Sequence, residues 1–533
     1  MIGRKITLSL ANMLIGSVLG LVVVKLVSLY FTPNDVGHVQ YALGVLGLLY
    51  FMTDLGMGQA HVKRVSEGRD PGDCFATFAV FKVVATALFV FVSLAGLFVY
   101  TIVLGKPLED TSLLVLFIVL VYYVAKSLQD IGQSSFDARL ETARSQFATL
   151  MDTLVRVVLT LIGAIFVAAL VDQAGPLLGR LDPTNPFFAW VAAHPDAVLG
   201  AATAAGAVAA AITGLVMLRR SLERGRFRME LLRDYWSFAL PLFLTSAIGI
   251  ISTNIDSVTL GFFLSDADVG VFGQIKRLPL VLGGISVAVG ALLFPSISAM
   301  AARDDRAGIF ASMDRAARYL SMLLVPMTIF TGLFATRLIH VFLSDRYLAG
   351  ALPLAIMTVY VLLVTMANPH AQLLLGIGRP DVAAKLSAAS AITLIVGNLL
   401  LVPNDIKSLH LPLGGLGILG TAIATLIAGL VFYVGLRIAT HRLVGYRERS
   451  DLLRHLVAAA VMGAGLVAMD RWAFPLTRGY DILLYGAVGA TLYVLGLVAM
   501  RGFGWEDWRF ARESLHPGDM VRYVRDEIKR KRR

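Results

Sequence analysis

The chain is poor in the residues that build disulfide frameworks, metal clusters and soluble enzyme cores. Cys74 is the one cysteine in 533 residues, so neither an internal disulfide nor a multi-cysteine metal site can form. Only 16% of the residues are charged, and no loop between the apolar stretches is long enough to hold a soluble domain. These absences exclude a disulfide-rich scaffold and leave no room for a separate catalytic domain.

Long apolar runs fill the sequence instead. The hydrophobic fraction is 57% and the mean hydropathy is +0.75. A bilayer core requires about 20 apolar residues per helix. This window predicts about fourteen transmembrane helices, at residues 6–31, 37–60, 74–104, 111–133, 147–171, 197–218, 235–263, 271–298, 318–343, 350–376, 382–403, 414–438, 454–473 and 480–500.

Lysine and arginine are unevenly distributed between alternate loops. If the N-terminus is placed inside, most of the 47 Lys and Arg residues fall in inner loops, as the positive-inside rule requires. This bias predicts a multi-pass protein of the cell membrane with both termini in the cytoplasm. The net charge of +11 then reflects topology and contact with anionic lipids. A nucleic-acid partner is disfavoured because the basic residues are scattered over separate loops.

Two nine-residue segments resemble each other. Residues 29–37 read LYFTPNDVG and residues 262–270 read FFLSDADVG, and each connects a long apolar span to the next one. The copies lie six spans apart, so both run in the same direction, which is typical of a parallel duplication. We therefore predict an all-α polytopic membrane protein of about 14 transmembrane helices. Two six-helix lobes would be related by a pseudo-twofold axis along the membrane normal, with two further C-terminal helices.

The repeat also predicts the domain division. The predicted parts are the first lobe (1–218), a basic cytoplasmic linker (219–234), the second lobe (235–440), helices 13 and 14 (451–501) and a basic tail (502–533). The tail combines Trp505 and Trp508 with a polybasic end. It is either an amphipathic segment on the inner leaflet or a disordered positive tail that fixes topology.

Ionisable residues inside the predicted spans are the main functional candidates, because burying a charge in a bilayer is costly. Cations outnumber acids there, which is typical of a cavity for an anionic head group. The candidate substrate-binding cations are Lys25, Lys82, Arg156, Arg277 and Arg337.

Several of these charges have a simpler interpretation. Lys and Arg near span ends can extend to the interface, and this is the favoured reading for Lys126, Lys276 and Arg277. Asp152 and Arg156 lie four residues apart on one helix face and can pair, as can Lys126 and Asp130. Asp54 is either a functional acid or a residue at the cytoplasmic end of its span.

Four stretches resemble the polysaccharide flippases of the Wzx type, which belong to the MOP exporter superfamily with MATE drug exporters and lipid II flippases. They are residues 265–273, the Asp-Leu-Gly at 54–56, the Phe-Pro-Ser-Ile-Ser at 294–298 and the connection at 342–350. Their order and spacing carry the resemblance over roughly residues 1–500. It implies two six-helix lobes around a central cavity, and a monomer. It also implies transfer of an isoprenoid-pyrophosphate-linked oligosaccharide from the inner to the outer leaflet.

The resemblance to lipid II flippases further implies a sodium site joining the seventh helix to the eleventh and twelfth. The matching ion-coupling candidates are Asp256, Asn254, Asn398, Thr421 and Thr425, whose oxygens suit a hard cation. The family pattern has a second acid on the eleventh helix, and residues 397–402 contain none. A hydrogen-bonded polar core is therefore the alternative, and coupling to Na+ or H+ stays open. No other cofactor is expected.

Three other functions are weighed against the flippase. A MATE-type cation-coupled antiporter is the main alternative, although the first span has no acid and the excess charge is cationic. A membrane glycosyltransferase would need clustered acids or histidines in a long loop, and a channel would need a filter-like motif. We predict a transporter rather than an enzyme. Its expected partners are an isoprenoid-linked oligosaccharide and membrane lipids, with polysaccharide assembly proteins as further candidates.

Overall fold

The computed structural model describes residues 2–105, 107–139, 141–171, 185–219, 225–406, 411–448 and 451–504, and these are largely helical. The helices of the first half are α1 (Ile2–Tyr30), α2 (Pro33–Leu49), α3 (Met57–Ser66), α4 (Pro71–Phe98), α5 (Asp110–Ala138), α6 (Thr142–Val171), α7 (Pro186–Ala193) and α8 (Pro195–Arg219). Those that follow are α9 (Met229–Phe263), α10 (Asp266–Ala301), α11 (Arg306–Leu333), α12 (Ala335–Phe342), α13 (Ala351–Gly376), α14 (Pro380–Leu401), α15 (Ile418–Val444), α16 (Leu452–Trp472) and α17 (Asp481–Ala499).

Short elements fill some of the connections. Single 3-10 segments occupy Tyr50–Thr53 and Asp345–Gly350, and a π-helical turn occupies Val99–Val103. Two-residue strands β1 (Asp405–Ile406) and β2 (Leu411–Pro412) pair antiparallel, with Asp405 opposite Pro412. Residues 505–533 of the predicted tail (502–533) lie outside the described residues, as do residues 172–184 of the loop between the fifth and sixth predicted spans and residues 220–224 of the linker.

The predicted membrane architecture is confirmed. Twelve helices in the described residues are long and apolar enough to cross a bilayer, and α1 and α10 occupy the two remaining predicted spans. The helices differ from the predicted edges in detail. For example, α9 already begins at Met229, within the predicted linker, and the predicted outer loop contains the short helix α7.

The second span is discontinuous, which the sequence did not predict. The 3-10 segment after α2 leads into Leu55 and Gly56, whose φ angles are 48° and 81°. The left-handed backbone is unfavourable for leucine and stops the helix. Asp54 restarts it, because its Oδ1 accepts a hydrogen bond from the Gly58 N–H at 3.2 Å. The break therefore places a carboxylate at the start of α3, inside the predicted span.

The two halves repeat the same helix pairings. In the first half α8 packs against α5 and α6, and α1 packs against α6. In the second half α15 packs against α13 and α14, and α9 packs against α14. Helices α16 and α17 pack against each other and α16 packs against α11. This is the predicted arrangement of two similar six-helix bundles with two helices to one side.

The two copies of the repeat form the same local structure. Thr32 caps α2 and Ser265 caps α10, each in a reciprocal pair of hydrogen bonds with the aspartate three residues later. This capping box satisfies backbone N–H groups that a helix start leaves free. The sequence similarity of 29–37 and 262–270 thus reflects two equivalent helix starts.

These helix starts pack directly on each other. A Cβ added to Gly37 would lie 1.8 Å from the Asp266 carbonyl oxygen, and one added to Gly270 would lie 1.9 Å from the Pro33 carbonyl oxygen. Only glycine permits such close approach of two backbones. The contact joins the halves at the end of the bundle away from the basic loops. We call this the opposite end, and the end with the connections at 67–70, 302–305 and 377–379 the basic-loop end.

Candidate functional site

A cavity of about 490 Å³ lies between the two halves. Five helices of the first half (α1, α2, α5, α6 and α8) and α10 of the second half contribute to its wall. Arg156 enters it from α6 and Arg277 enters it from α10. Two of the five predicted substrate-binding cations thus share one cavity, one from each half.

The two guanidinium groups have no direct counter-ion in the described part of the chain. Within the described residues neither Arg156 nor Arg277 has an ion-pair or hydrogen-bond partner, and they are close enough to repel each other. The predicted pairing of Arg156 with Asp152 is not formed. The Asp152 Oδ1 is buried without a hydrogen-bond partner, beside Gly206 of α8. A dianionic group between the arginines would relieve their repulsion.

Sequence reasoning missed a further polar group in this cavity, Gln274. Gln274 is fully buried, and neither its Nε2 nor its Oε1 has a hydrogen-bond partner in the described part of the chain. It lines the cavity one turn before Arg277 on the same helix. The spacing of three residues places both side chains on one face of α10. The sequence could therefore have shown that Gln274 shares a helix face with Arg277, but only the fold shows that Gln274 lacks a partner among the described residues.

Lys82 lies outside this cavity. Its ammonium is fully buried and lies 3.3 Å from the Asp54 carboxylate and 3.3 Å from that of Asp130. The Tyr50 hydroxyl donates a further hydrogen bond to Asp130 at 2.7 Å. Asp130 therefore pairs with Lys82 rather than with Lys126, whose ammonium donates to the Gln129 side chain. The discontinuity in the second span brings Asp54 into this cluster.

The acids of this cluster face a second cavity. A space of about 690 Å³ at the basic-loop end is lined by Asp54 and Asp130. A further cavity of about 710 Å³ at the same end is lined by Asn368 and Gln372 of the second half. Each half therefore has a cavity at the basic-loop end that is lined by polar side chains.

Lys25 joins the halves at the opposite end. Its ammonium donates hydrogen bonds to the carbonyl oxygens of Val341 at 2.7 Å and Leu343 at 2.9 Å. These carbonyls end α12, where a cation is favourable because of the helix dipole. Nearby, the His38 imidazole lies 2.8 Å from Asp196 and 3.4 Å from Asp266 of the other half. The charges at this end hold the two halves together.

Arg337 lines none of these three cavities. It lies on α12 with its side chain 45% exposed and 3.7 Å from the Asp470 carboxylate of α16. This contact connects the second half to the two additional helices. An exposed pair at this distance contributes little to stability.

The five ion-coupling candidates separate into two groups. Asp256 is buried, 2.8 Å from the Lys276 ammonium, and its Oδ1 accepts a hydrogen bond from the Asn398 amide at 3.3 Å. Lys276 is thus a counter-ion rather than a residue extending to the interface. Asn254 faces away, because a Cβ added to Gly47 of α2 would lie 2.5 Å from its Oδ1.

Two oxygens of these candidate residues have no partner in the part of the chain that the structure describes. The Asn398 Oδ1 and the Thr421 Oγ1 are buried without a hydrogen-bond partner among the described residues, whereas the Thr425 hydroxyl donates to the Thr421 carbonyl at 2.8 Å. Such oxygens can bind a hard cation. Because Lys276 already neutralises Asp256, a bound sodium ion would require this ammonium to withdraw.

One protein family and two known proteins match the sequence of this chain. The model of the polysaccharide biosynthesis protein family matches residues 2–301. The chain is 23% identical over 213 residues to the uncharacterized membrane protein MJ1068 of Methanocaldococcus jannaschii, and the match covers 40% of each chain. It is 19% identical over 394 residues, 72% of each chain, to the probable low-salt glycan biosynthesis flippase Agl15 of Haloferax volcanii.

Solved structures share the fold. The lipid II flippase MurJ in its inward closed conformation matches with a TM-score of 0.68 at 15% identity, covering 93% of this chain and 99% of that one. An inward-facing multidrug resistance MATE family transporter of the MOP superfamily matches with a TM-score of 0.57 at 15% identity, covering 80% of this chain and 95% of that one. The resemblance to MOP transporters predicted from sequence is confirmed at the level of the fold.

Proposed function

The chain belongs to the polysaccharide biosynthesis protein family, and from this premise we propose that it moves an isoprenoid-(pyro)phosphate-linked oligosaccharide from the inner to the outer leaflet. It is a multi-pass membrane protein of the flippase and transporter class, and such families are not enzymes. The family match does not favour the alternative of a MATE-type multidrug antiporter. The observation that carries the proposal is the pair of unpaired arginines in the cavity between the halves.

The charge of the cavity supports an anionic head group. A guanidinium binds phosphate oxygens in a planar, two-point geometry and stays protonated in any protein environment. Arg156 and Arg277 line the same cavity from different halves, and we infer that one diphosphate contacts both. Binding would then draw the halves together around the substrate, since the anion replaces repulsion by two attractive contacts.

The contacts between the halves support transport by alternating access. At the opposite end the halves meet through the Gly37 and Gly270 backbones, His38 and Lys25, while large cavities lie at the basic-loop end. We place the basic-loop end in the cytoplasm, in accord with the positive-inside rule. In this conformation a substrate would enter the cavity from the inner leaflet.

Coupling to an ion is a separate part of the proposal. The group around Asp256, with Asn398 and Thr421, is the candidate site for sodium in the second half. Occupancy would require the Lys276–Asp256 pair to open, so sodium binding would be linked to a movement of α10 against α9. A sodium gradient that changes the transport rate of the wild type but not of Asp256→Asn would support this site.

A flipping assay in sealed liposomes tests the main proposal. The probe is a fluorescent isoprenoid-pyrophosphate oligosaccharide, and quenching from outside reports its arrival in the outer leaflet. Arg156→Met and Arg277→Met are each expected to reduce the initial rate on the order of 10- to 100-fold, as expected for a lost charge-assisted contact of about 1.5–3 kcal/mol. Arg337→Met is the matched control, because Arg337 lies outside the cavity.

The double variant sharpens this test. If both arginines bind one anion, Arg156→Met and Arg277→Met together should reduce the rate by less than the product of their separate effects. Full activity of both single variants, with the wild type active, would contradict the proposed site. Export of a cationic dye by a wild type that flips no glycolipid would instead favour the antiporter.

A further inference from the structure

A fourth cavity, with an apolar wall, lies between α4 and the start of α9 at the basic-loop end. Its volume is about 450 Å³, and Phe81 of α4 and Met229, Leu232 and Trp236 of α9 form most of its wall. The centroids of the Phe81 and Trp236 rings are 6.4 Å apart and the ring planes are inclined by 57°. The two aromatic rings therefore stand on facing helices at the edge of the same apolar space.

This cavity continues into an exposed apolar face of both helices. Val84 follows Phe81 by three residues and Leu240 follows Trp236 by four, so each pair shares a helix face, and Val84, Trp236 and Leu240 are all exposed. The other face of α9 is buried, since Tyr235 packs there in a cluster with α3 and α4. Both helices run from the basic-loop end inwards, so the cavity and these residues form a groove that leads toward the bilayer centre.

Arg233 places a positive charge at the mouth of this groove. Its side chain is exposed and lines the cavity, and it has no ion-pair or hydrogen-bond partner within the described residues. The neighbouring acids do not neutralise it, because Asp234 pairs with Arg69 at 3.4 Å and Glu230 forms no ion pair in this part of the chain. Trp236 beside it is of the residue type that anchors helices at the membrane–water interface.

We propose that the groove binds an anionic phospholipid from the leaflet at the basic-loop end. One acyl chain lies against Phe81 and Trp236, and the phosphate contacts the Arg233 guanidinium, which suits phosphate oxygens in a two-point geometry. Basic pockets between membrane helices are typical sites for anionic lipid head groups. A zwitterionic phospholipid fits less well, because its own cation cancels the charge of its phosphate and is repelled by the arginine. The bound lipid connects α4 of the first half to α9 of the second.

Quenching of tryptophan fluorescence by brominated lipids tests the inference, because a brominated acyl chain quenches a tryptophan that it contacts. The full-length protein is placed in phosphatidylcholine nanodiscs that contain a small fraction of phosphatidylglycerol or phosphatidylcholine with the same dibrominated chains. The chain has five tryptophans, so the Trp236 signal is isolated by subtracting that of a Trp236→Phe variant. Phosphatidylglycerol should quench Trp236 at about fivefold lower mole fraction than phosphatidylcholine, as expected for one arginine near a membrane surface.

Four variants separate the charge from the cavity. Arg233→Gln should make the two brominated lipids quench equally, whereas Arg233→Lys keeps the charge and should keep most of the preference. Ser237→Phe should reduce quenching by both lipids, because Ser237 lines the cavity and an added ring occupies the space of the acyl chain. Arg303→Gln is the matched control, since Arg303 is an exposed arginine in another connection at the same end.

Several results would overturn the inference. Equal quenching by the two lipids in the wild type, or a preference that survives Arg233→Gln, excludes Arg233 as the phosphate contact. An equal loss of the preference in Arg303→Gln would mean that the basic loops attract anionic lipids without a specific site. Displacement of brominated phosphatidylglycerol by farnesyl pyrophosphate would assign the groove to an isoprenoid carrier instead. The readout involves no flipping, so a failure here leaves the proposed function standing.

Discussion

Adding one methyl group at Gly37 should open the contact between the halves at the opposite end. In Gly37→Ala the new Cβ would lie 1.8 Å from the Asp266 carbonyl oxygen. Reaching even 3.0 Å requires a separation of about 1.2 Å, and the atom in the way is backbone rather than a flexible side chain. The starts of α2 and α10 must therefore move apart, or the conformation with this contact must become less populated.

The size of the effect follows from the cost of overpacking. Forcing an extra methyl group into a close-packed contact typically costs about 1–3 kcal/mol. The cost applies only to the conformation in which the helix starts touch. The equilibrium should thus shift by roughly 5- to 150-fold toward conformations that are open at the opposite end. Gly270→Ala should act in the same way, and the double variant should add little, because the first separation already makes room for the second methyl group.

Distance measurements by double electron–electron resonance can detect this shift. Spin labels are attached at Glu109 and Ala349, which are exposed and lie on different halves at the opposite end, in a Cys74→Ala background. Gly37→Ala should increase the population with long distances. Gly332→Ala serves as the control, because an added Cβ there has no atom within 4 Å.

An unchanged distance distribution in Gly37→Ala would refute the reasoning. It would mean that the two helix starts tolerate a methyl group and do not set the balance between conformations. A shift of equal size in Gly332→Ala would also count against it, since that substitution meets no neighbour. Flipping rates of the same variants would then show whether the contact limits transport.

Two further predictions concern stability. Lys82→Met should lower the free energy of unfolding by about 3 kcal/mol, because it leaves Asp54 and Asp130 without their buried counter-ion. Denaturation in detergent measures this loss, and adding Asp54→Asn and Asp130→Asn should recover most of it. A Lys82→Met protein as stable as the wild type would exclude a structural role for the cluster. Burial raises the pKa of Glu448, but the hydrogen bond from His370, the nearby charges of Arg437 and His370 and the Tyr433 hydroxyl together outweigh it, so the pKa lies below the ordinary value of 4.5. A lowered carboxyl pKa stabilises the fold above the unfolded value, and this contribution is lost as the pH falls through the folded pKa. Melting temperatures measured from about pH 6 down to pH 3.5 should therefore fall less steeply in Glu448→Gln than in the wild type, and parallel curves would contradict this role.

The membrane architecture could be predicted from the sequence because each apolar span is a continuous stretch of the chain. A bilayer requires about 20 apolar residues per helix, and both that length and the repeat at 29–37 and 262–270 can be read directly from the chain. The discontinuity after α2 could not be predicted in this way. Its central residue is Leu55, which gives no indication of a left-handed backbone, and the break is stabilised by packing and by the capping of α3.

The candidate site was predicted only in part, for a related reason. Intramembrane charges can be identified from sequence, but their partners lie on other helices. Lys82 and Lys25 were grouped with Arg156 by charge alone, yet the first is held by two carboxylates and the second by carbonyls that end α12. Gln274 is uncharged and is therefore not among the intramembrane charges that the sequence shows. Its importance depends on the absence of a partner, which is a property of the packed structure.

The reciprocal contact of the two helix starts has a consequence for the origin of the chain. Gly37 approaches the start of α10 just as Gly270 approaches the start of α2, so one surface patch meets its own equivalent. Closed interfaces between two identical subunits have this isologous form. A protein of half this length, carrying a single copy of the segment, would already present a self-complementary patch for forming a dimer. Fusion of two such genes would retain that interface inside one chain, where the two sides are then free to diverge.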